Sequence, residues 1–145
     1  MLYLRRFRPS DLMQIMQLVG VTLGENYHPS FYINLHNLWP EGFIIATIKE
    51  QLVGFILATK SEVKTVRILM LAVYPFYQRH GIGNSLVQTI INLCIQGGIK
   101  LVKLEVRIKN DSAIRFYHHR GFIITETLHR YYSNGDNGYL MVRYL

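Results

Sequence analysis

The chain has 145 residues, half of them apolar and 17% charged, with a formal net charge of +7 and a single cysteine. That length supports one hydrophobic core, so a single domain over residues 1–145 is expected. The composition excludes a disordered chain, the lone Cys94 excludes an intrachain disulfide, and no stretch approaches the roughly 20 apolar residues of a membrane span.

Leu2 to Phe7 reads as an opening strand. Pro9-Ser10-Asp11 then starts a helix in which Leu12, Ile15, Met16 and Val19 recur at helical spacing. Gly24 to Pro29 breaks it, and a second short helix is expected over Phe31 to Leu38. Phe43 to Ile48 and Leu52 to Thr59, joined by Lys49-Glu50-Gln51, read as a hairpin, and Val66 to Val73 as a further strand. A helix over Gly81 to Gln96 follows, with Ile82, Leu86, Ile90 and Cys94 on one face, widened by Val87 and Ile91. Leu101 to Ile108 alternates strictly: Val102, Leu104 and Val106 point one way, Lys103, Glu105 and Arg107 the other. Asn110-Asp111-Ser112 caps a helix that runs to Arg120 and stops at Gly121; Phe122 to Leu128 and Tyr139 to Tyr144 close the chain as strands. The fold class expected is mixed α/β, with one helical crossover inside a largely antiparallel sheet.

The excess of positive charge favours anionic partners, but it is spread over the chain without the stripe or motif of a nucleic-acid binder, so no specific nucleic acid is expected. Arg5, Arg6 and Arg8 lie near the start with no apolar signal core after them, which points to a cytoplasmic protein. The six histidines form no metal-ligand spacing, and no Gly-x-Ser-x-Gly nucleophile turn occurs.

The segment from Val73 through Gln78, Arg79, His80, Gly81, Ile82, Gly83 and Asn84 runs from a strand end through a turn into a helix. Unpaired N–H groups at such a helix start point at an anion, glycines permit close approach, and Arg79 adds positive charge. Position 86 is Leu, so the three-glycine dinucleotide fingerprint is not met, and the Gly-Lys-Ser/Thr of a nucleoside-triphosphate loop is absent. Taken alone the pattern also fits a helix with a merely flexible start.

Gln78-x-x-Gly81-x-Gly83 resembles the signature that binds the coenzyme A pyrophosphate in GNAT acetyltransferases. Leu104-Glu105-Val106-Arg107, Asn110 to Ile114, Phe116-Tyr117 and Gly121-Phe122 resemble the pattern of N-terminal protein acetyltransferases, especially the RimI branch, and the likeness runs from Leu2 to Leu145. It implies a GNAT fold: a twisted, mostly antiparallel sheet of about seven strands with about four helices, its strands splayed where acetyl-CoA binds. It further implies acetyl transfer from acetyl-CoA to the α-amino group of a protein or peptide N-terminus, by direct attack in a ternary complex and with coenzyme A as product. Glu105 matches the family's general base, acting through water, and Tyr117 its general acid. The cofactor would meet the backbone of Leu71, Ala72 and Val73, the turn from Gln78 to Asn84, and Asn110, Ala113, Phe116 and Tyr117. Glu25 and Tyr27 in an "ENY" loop, and Tyr131 and Tyr132 in a hairpin, match the relatives' acceptor-binding loops. Some relatives carry a tyrosine and a histidine where this chain has Arg67 and Glu105, so a tyrosine–histidine scheme is not expected, and Arg67 would favour acidic or small first residues.

Each residue also has a plainer reading. Glu105 would pair with Lys103 or Arg107, Tyr117 would be core, Asn110 a helix cap, and the tyrosine hairpin an ordinary polar loop tip. Two other functions stay open: a GNAT enzyme acting on a small amine or a lysine side chain, and a noncatalytic coenzyme A-binding or ribosome-associated module. A monomer or weak homodimer in transient contact with the ribosome, away from membranes, completes the expectation.

Overall fold

The computed structural model describes all residues, Met1–Leu145. Its elements follow in the order β1 (Leu2–Arg6), α1 (Leu12–Thr22), α2 (Pro29–Leu38), β2 (Phe43–Ile48), β3 (Gln51–Lys60), β4 (Thr65–Val73), α3 (Ile82–Gln96), β5 (Leu101–Arg107), α4 (Asp111–His119), β6 (Ile123–Leu128) and β7 (Gly138–Tyr144). The strands form one seven-stranded sheet in the order β1-β2-β3-β4-β5-β7-β6. The crossover β4–α3–β5 makes the only parallel pair, as a strand–helix–strand unit requires.

Local chemistry accounts for the joints. At the β2–β3 turn Lys49 and Glu50 take φ values of +50° and +65°, the twist-matched conformation of a two-residue hairpin loop. The entry to α1 is held by Asp11, buried and bonded at 2.8 Å by both Arg5 Nη1 and Nη2 and by the Arg8 backbone N–H. Burial alone would raise the Asp11 carboxyl pKa, but the bonds from Arg5 and Arg8 outweigh it and hold the group below the usual carboxylate range.

Two cores flank the sheet. On one face Ile82, Leu86, Ile90, Ile91 and Cys94 of α3 pack with Val102, Leu104 and Val106 of β5, Tyr117 and Phe122. On the other, Ile15, Leu18 and Val19 of α1 and Tyr32 of α2 cover Phe43, Ile45, Phe55 and Leu57. Complete burial of a side chain such as Leu86 or Ile90 is worth about 1.5–3 kcal/mol, so these faces fix the helices.

Two irregularities shape the middle of the sheet. Between β3 and β4 the register passes from Leu57↔Met70 to Ala58↔Ile68, leaving Leu69 as an extra, bulged residue on β4. The bulge exchanges the faces: Val66 and Ile68 belong to the α3 core, Met70 and Ala72 to the α1 core. Beside it, β4 and β5 pair only at Thr65↔Leu101, Val66↔Val102 and Arg67↔Lys103; past these rungs they diverge.

Candidate active site

On the α3 side of this divergence lies a cavity of about 450 Å³, lined by Leu71 and Val73 of β4, the turn into α3, and Ala113, Phe116 and Tyr117 of α4. Gly81 is the N-cap of α3 at φ +81°, a conformation glycine adopts without strain, and Arg79 before it stands at φ +66°. The first turn of a 15-residue helix therefore opens onto the cavity with its N–H groups unpaired, and its dipole favours an anion there. Gly83 serves packing: a Cβ at this position would lie 3.3 Å from Phe116 Cζ. Gln78 braces the turn, its Nε2 donating to the Val73 carbonyl at 2.9 Å.

Tyr117 lines the same cavity and is only 9% exposed. Burial pushes its phenol well above the ordinary tyrosine value, with Arg120 opposing weakly, so the hydroxyl keeps its proton through the neutral range. Asn110 caps α4, its Oδ1 accepting from Ala113 N at 3.2 Å.

A second group of polar side chains gathers on the opposite face. Glu105, on the α1 side of β5, accepts a hydrogen bond through Oε1 from Arg67 Nε at 2.7 Å, and the same oxygen forms an ion pair with Arg67 Nη2 at 2.7 Å; Oε2 has no protein partner. Arg67 Nη2 also donates to Tyr131 Oη at 3.2 Å. Two residues on, Arg107 Nη1 reaches Asp136 Oδ2 at 3.1 Å, Nη2 lies 3.9 Å from Glu25 Oε1, and the guanidinium stacks 4.0 Å over the Tyr132 ring. Arg107 thereby ties the α1–α2 loop to the β6–β7 hairpin. Tyr27 donates to Glu25; burial and this bond push its phenol up to about 12.

The sequence-derived residues thus fall into two sets on opposite faces, meeting at the gap between β4 and β5. Leu71, Val73, Gln78, Arg79, Gly81, Ile82, Gly83, Asn84, Ala113, Phe116 and Tyr117 line the cavity. Ala72, His80 and Asn110 are not among its lining: the Ala72 side chain is packed into the α1 core, which leaves the expectation for its backbone untouched, His80 is exposed, and Asn110 Oδ1 accepts from Ala113 N. Glu105, Glu25, Tyr27, Tyr131 and Tyr132 share the other face. The Glu105 partner is neither Lys103, which pairs with Glu62, nor Arg107, but Arg67 on the neighbouring strand. Three cavity residues carry no mark in the sequence: Tyr77, Ser112 and Arg120. The alternation along β5 put Arg107 on the Glu105 face, but its links to Glu25, Asp136 and the Tyr132 ring could not be read from the sequence.

The α3 N-terminus facing the gap between parallel strands that part in mid-sheet agrees with the GNAT fold that the sequence resemblance implies, and the comparison with known proteins supports it. Residues 12–122 match the acetyltransferase (GNAT) family model, and the chain belongs to that family. Human N-alpha-acetyltransferase 30 is 34% identical over 137 residues, 92% of this chain; the chain spans 38% of that protein's length. Ard1 from Thermoplasma volcanium superposes with a TM-score of 0.95 at 38% identity, covering 99% of this chain and 97% of that one. Arabidopsis thaliana Naa50, solved with the bisubstrate analogue CoA-Ac-MVNAL, gives a TM-score of 0.89 at 28% identity, with 98% and 97% covered.

Proposed function

We propose that this chain transfers the acetyl group of acetyl-CoA to the α-amino group of protein or peptide N-termini. The observation that carries the reading is the two-sided gap between β4 and β5: a phosphate-ready cavity with Tyr117 on one face, and Glu105 among the acceptor loops on the other. The names of the relatives, and the peptide joined to CoA in the Naa50 analogue, agree with it.

The residues suit the cofactor. The α3 N-terminus and Arg79 offer N–H groups and positive charge to a pyrophosphate, while Leu71 and Phe116 give apolar walls to a pantetheine arm. Bound there, acetyl-CoA supplies an acetyl group activated as a thioester. Glu105 takes a proton from the incoming ammonium through Oε2, directly or by way of water, while Arg67 holds Oε1 and fixes the carboxylate. Tyr117, kept protonated by burial, gives its proton to the departing sulfur. Tyr131, Tyr132 and Glu25 orient the acceptor backbone in the groove that Arg107 braces.

The test is turnover of acetyl-CoA against short peptides with free and with blocked α-amines, alongside spermidine and free lysine. Transfer confined to free α-amines is expected. Transfer to blocked peptides or small amines would move the acceptor to side chains or polyamines, and no transfer at all would leave a noncatalytic coenzyme A-binding module.

A further inference from the structure

Arg120 stands out among the cations of the chain. It follows α4 directly and lines the cavity, yet it makes no ion pair. Its Nη1 donates to the Phe116 carbonyl at 2.9 Å, and its Cζ lies 3.8 Å over the Phe116 ring. Its Nε is sealed from solvent with no hydrogen-bond partner. A buried guanidinium donor without an acceptor costs free energy that the fold itself does not return. The side chain is nevertheless held in one place, on the ring that packs against Gly83 in the first turn of α3.

A cation fixed in a cavity with no counter-charge is matched by an anion that arrives with a ligand. Across the cavity the α3 N-terminus offers its unpaired N–H groups to an anion, and Arg79 lies beside it. Coenzyme A carries a pyrophosphate and a separate 3′-phosphate, more negative charge than one helix end and one exposed arginine neutralise.

We propose that Arg120 is a phosphate-binding residue for coenzyme A, closing the α4 side of the cavity against a cofactor phosphate that the α3 N-terminus does not neutralise alone. This rests on the acetyl-CoA reading above. Phe116 presents the guanidinium as a preformed platform, so little side-chain entropy is lost when the phosphate binds.

The test is calorimetric titration of the wild-type chain and of Arg120→Gln with coenzyme A, 3′-dephospho-coenzyme A and pantetheine. Arg120→Gln should weaken coenzyme A by about ten- to a hundredfold and leave pantetheine unchanged, as the loss of a charge-assisted phosphate bond predicts. If the dephospho ligand suffers the same loss, the partner is the pyrophosphate; if its loss vanishes, the partner is the 3′-phosphate. Unchanged coenzyme A affinity, or an equal loss with pantetheine, would overturn the assignment. A wild-type chain that does not bind coenzyme A would overturn the acetyl-CoA reading and this one with it. Should Arg120→Gln not fold, Arg120→Lys serves, with a smaller loss for coenzyme A and again none for pantetheine.

Discussion

Arg67 on β4 grips Glu105 on β5 at 2.7 Å, at the point where the two strands cease to pair. Arg67 is the last residue of β4 with a rung to β5, opposite Lys103, and Glu105 lies two residues past that rung. The ion pair therefore spans the start of the gap, its carboxylate 14% exposed and its guanidinium 35% exposed. It leaves Glu105 with one engaged oxygen and one open.

Replacing Glu105 by Gln keeps the size and removes the proposed proton acceptor. Turnover should fall by about 10²–10⁴-fold while coenzyme A affinity stays at the wild-type value. Steady-state kinetics with a calorimetric titration checks both, and unchanged turnover would sink the role given to Glu105.

Arg67 Nη1 has no protein partner, so the guanidinium can meet a further anion. Arg67→Gln should lower the ratio of kcat/KM for acidic-first over lysine-first peptides by about fivefold, the worth of roughly 1 kcal/mol. A ratio unmoved by the substitution would remove Arg67 from first-residue selection.

Tyr117→Phe should cut kcat by about a hundredfold with cofactor binding unaffected. Because burial raises the phenol, the hydroxyl stays protonated past the ordinary tyrosine pKa of about 10. The wild-type rate should accordingly show no alkaline limb from this group below about pH 10. The same shift makes folding stability fall as the pH rises above about 10, where an unfolded tyrosine ionises freely.

Arg107 holds the α1–α2 loop and the β6–β7 hairpin at once, through Glu25, Asp136 and the Tyr132 ring. Arg107→Met should raise the peptide KM by about tenfold or more, with little change in coenzyme A affinity. An interaction that holds the acceptor equally in the ground and transition states shows in KM when it is removed. A fall in kcat at unchanged KM would contradict it.

Asp11→Asn removes the charged acceptor of Arg5 and of the Arg8 N–H and should cost about 1–3 kcal/mol in urea unfolding. The folded carboxyl lies below its unfolded value, so its stabilisation is present above about pH 4 and is lost as the pH falls through the folded pKa. Urea melts between about pH 2 and 6 should show the wild type losing this increment while the Asp11→Asn variant does not.

The elements and the faces of the helices were legible in the residues because periodicity reports burial directly: the Ile82–Cys94 stripe and the Val102–Val106 alternation are both buried as read. The turn read as facing an anion, from Gln78 to Asn84, lines the cavity in the structure with every residue but His80. What escaped depends on register. Arg67 meets Glu105 across two strands, 38 residues apart in sequence, and neither strand says how far the other slides. The Leu69 bulge, which turns Met70 and Ala72 to the α1 core, leaves no mark in an apolar run. Arg120 reads as a charge suited to a helix C-terminus, and only its place on Phe116 distinguishes it.

The early parting of β4 and β5 has a consequence for binding. Beyond Arg67 and Lys103, the main-chain groups that would have bonded across the ladder face a gap in the middle of the molecule. Main-chain groups left without a neighbouring strand call for other partners, and a ligand lying extended along the gap would be able to supply them. The centre of the sheet is thus an interior edge, with β4 paired only to β3 and β5 only to β7 beyond the last shared rung.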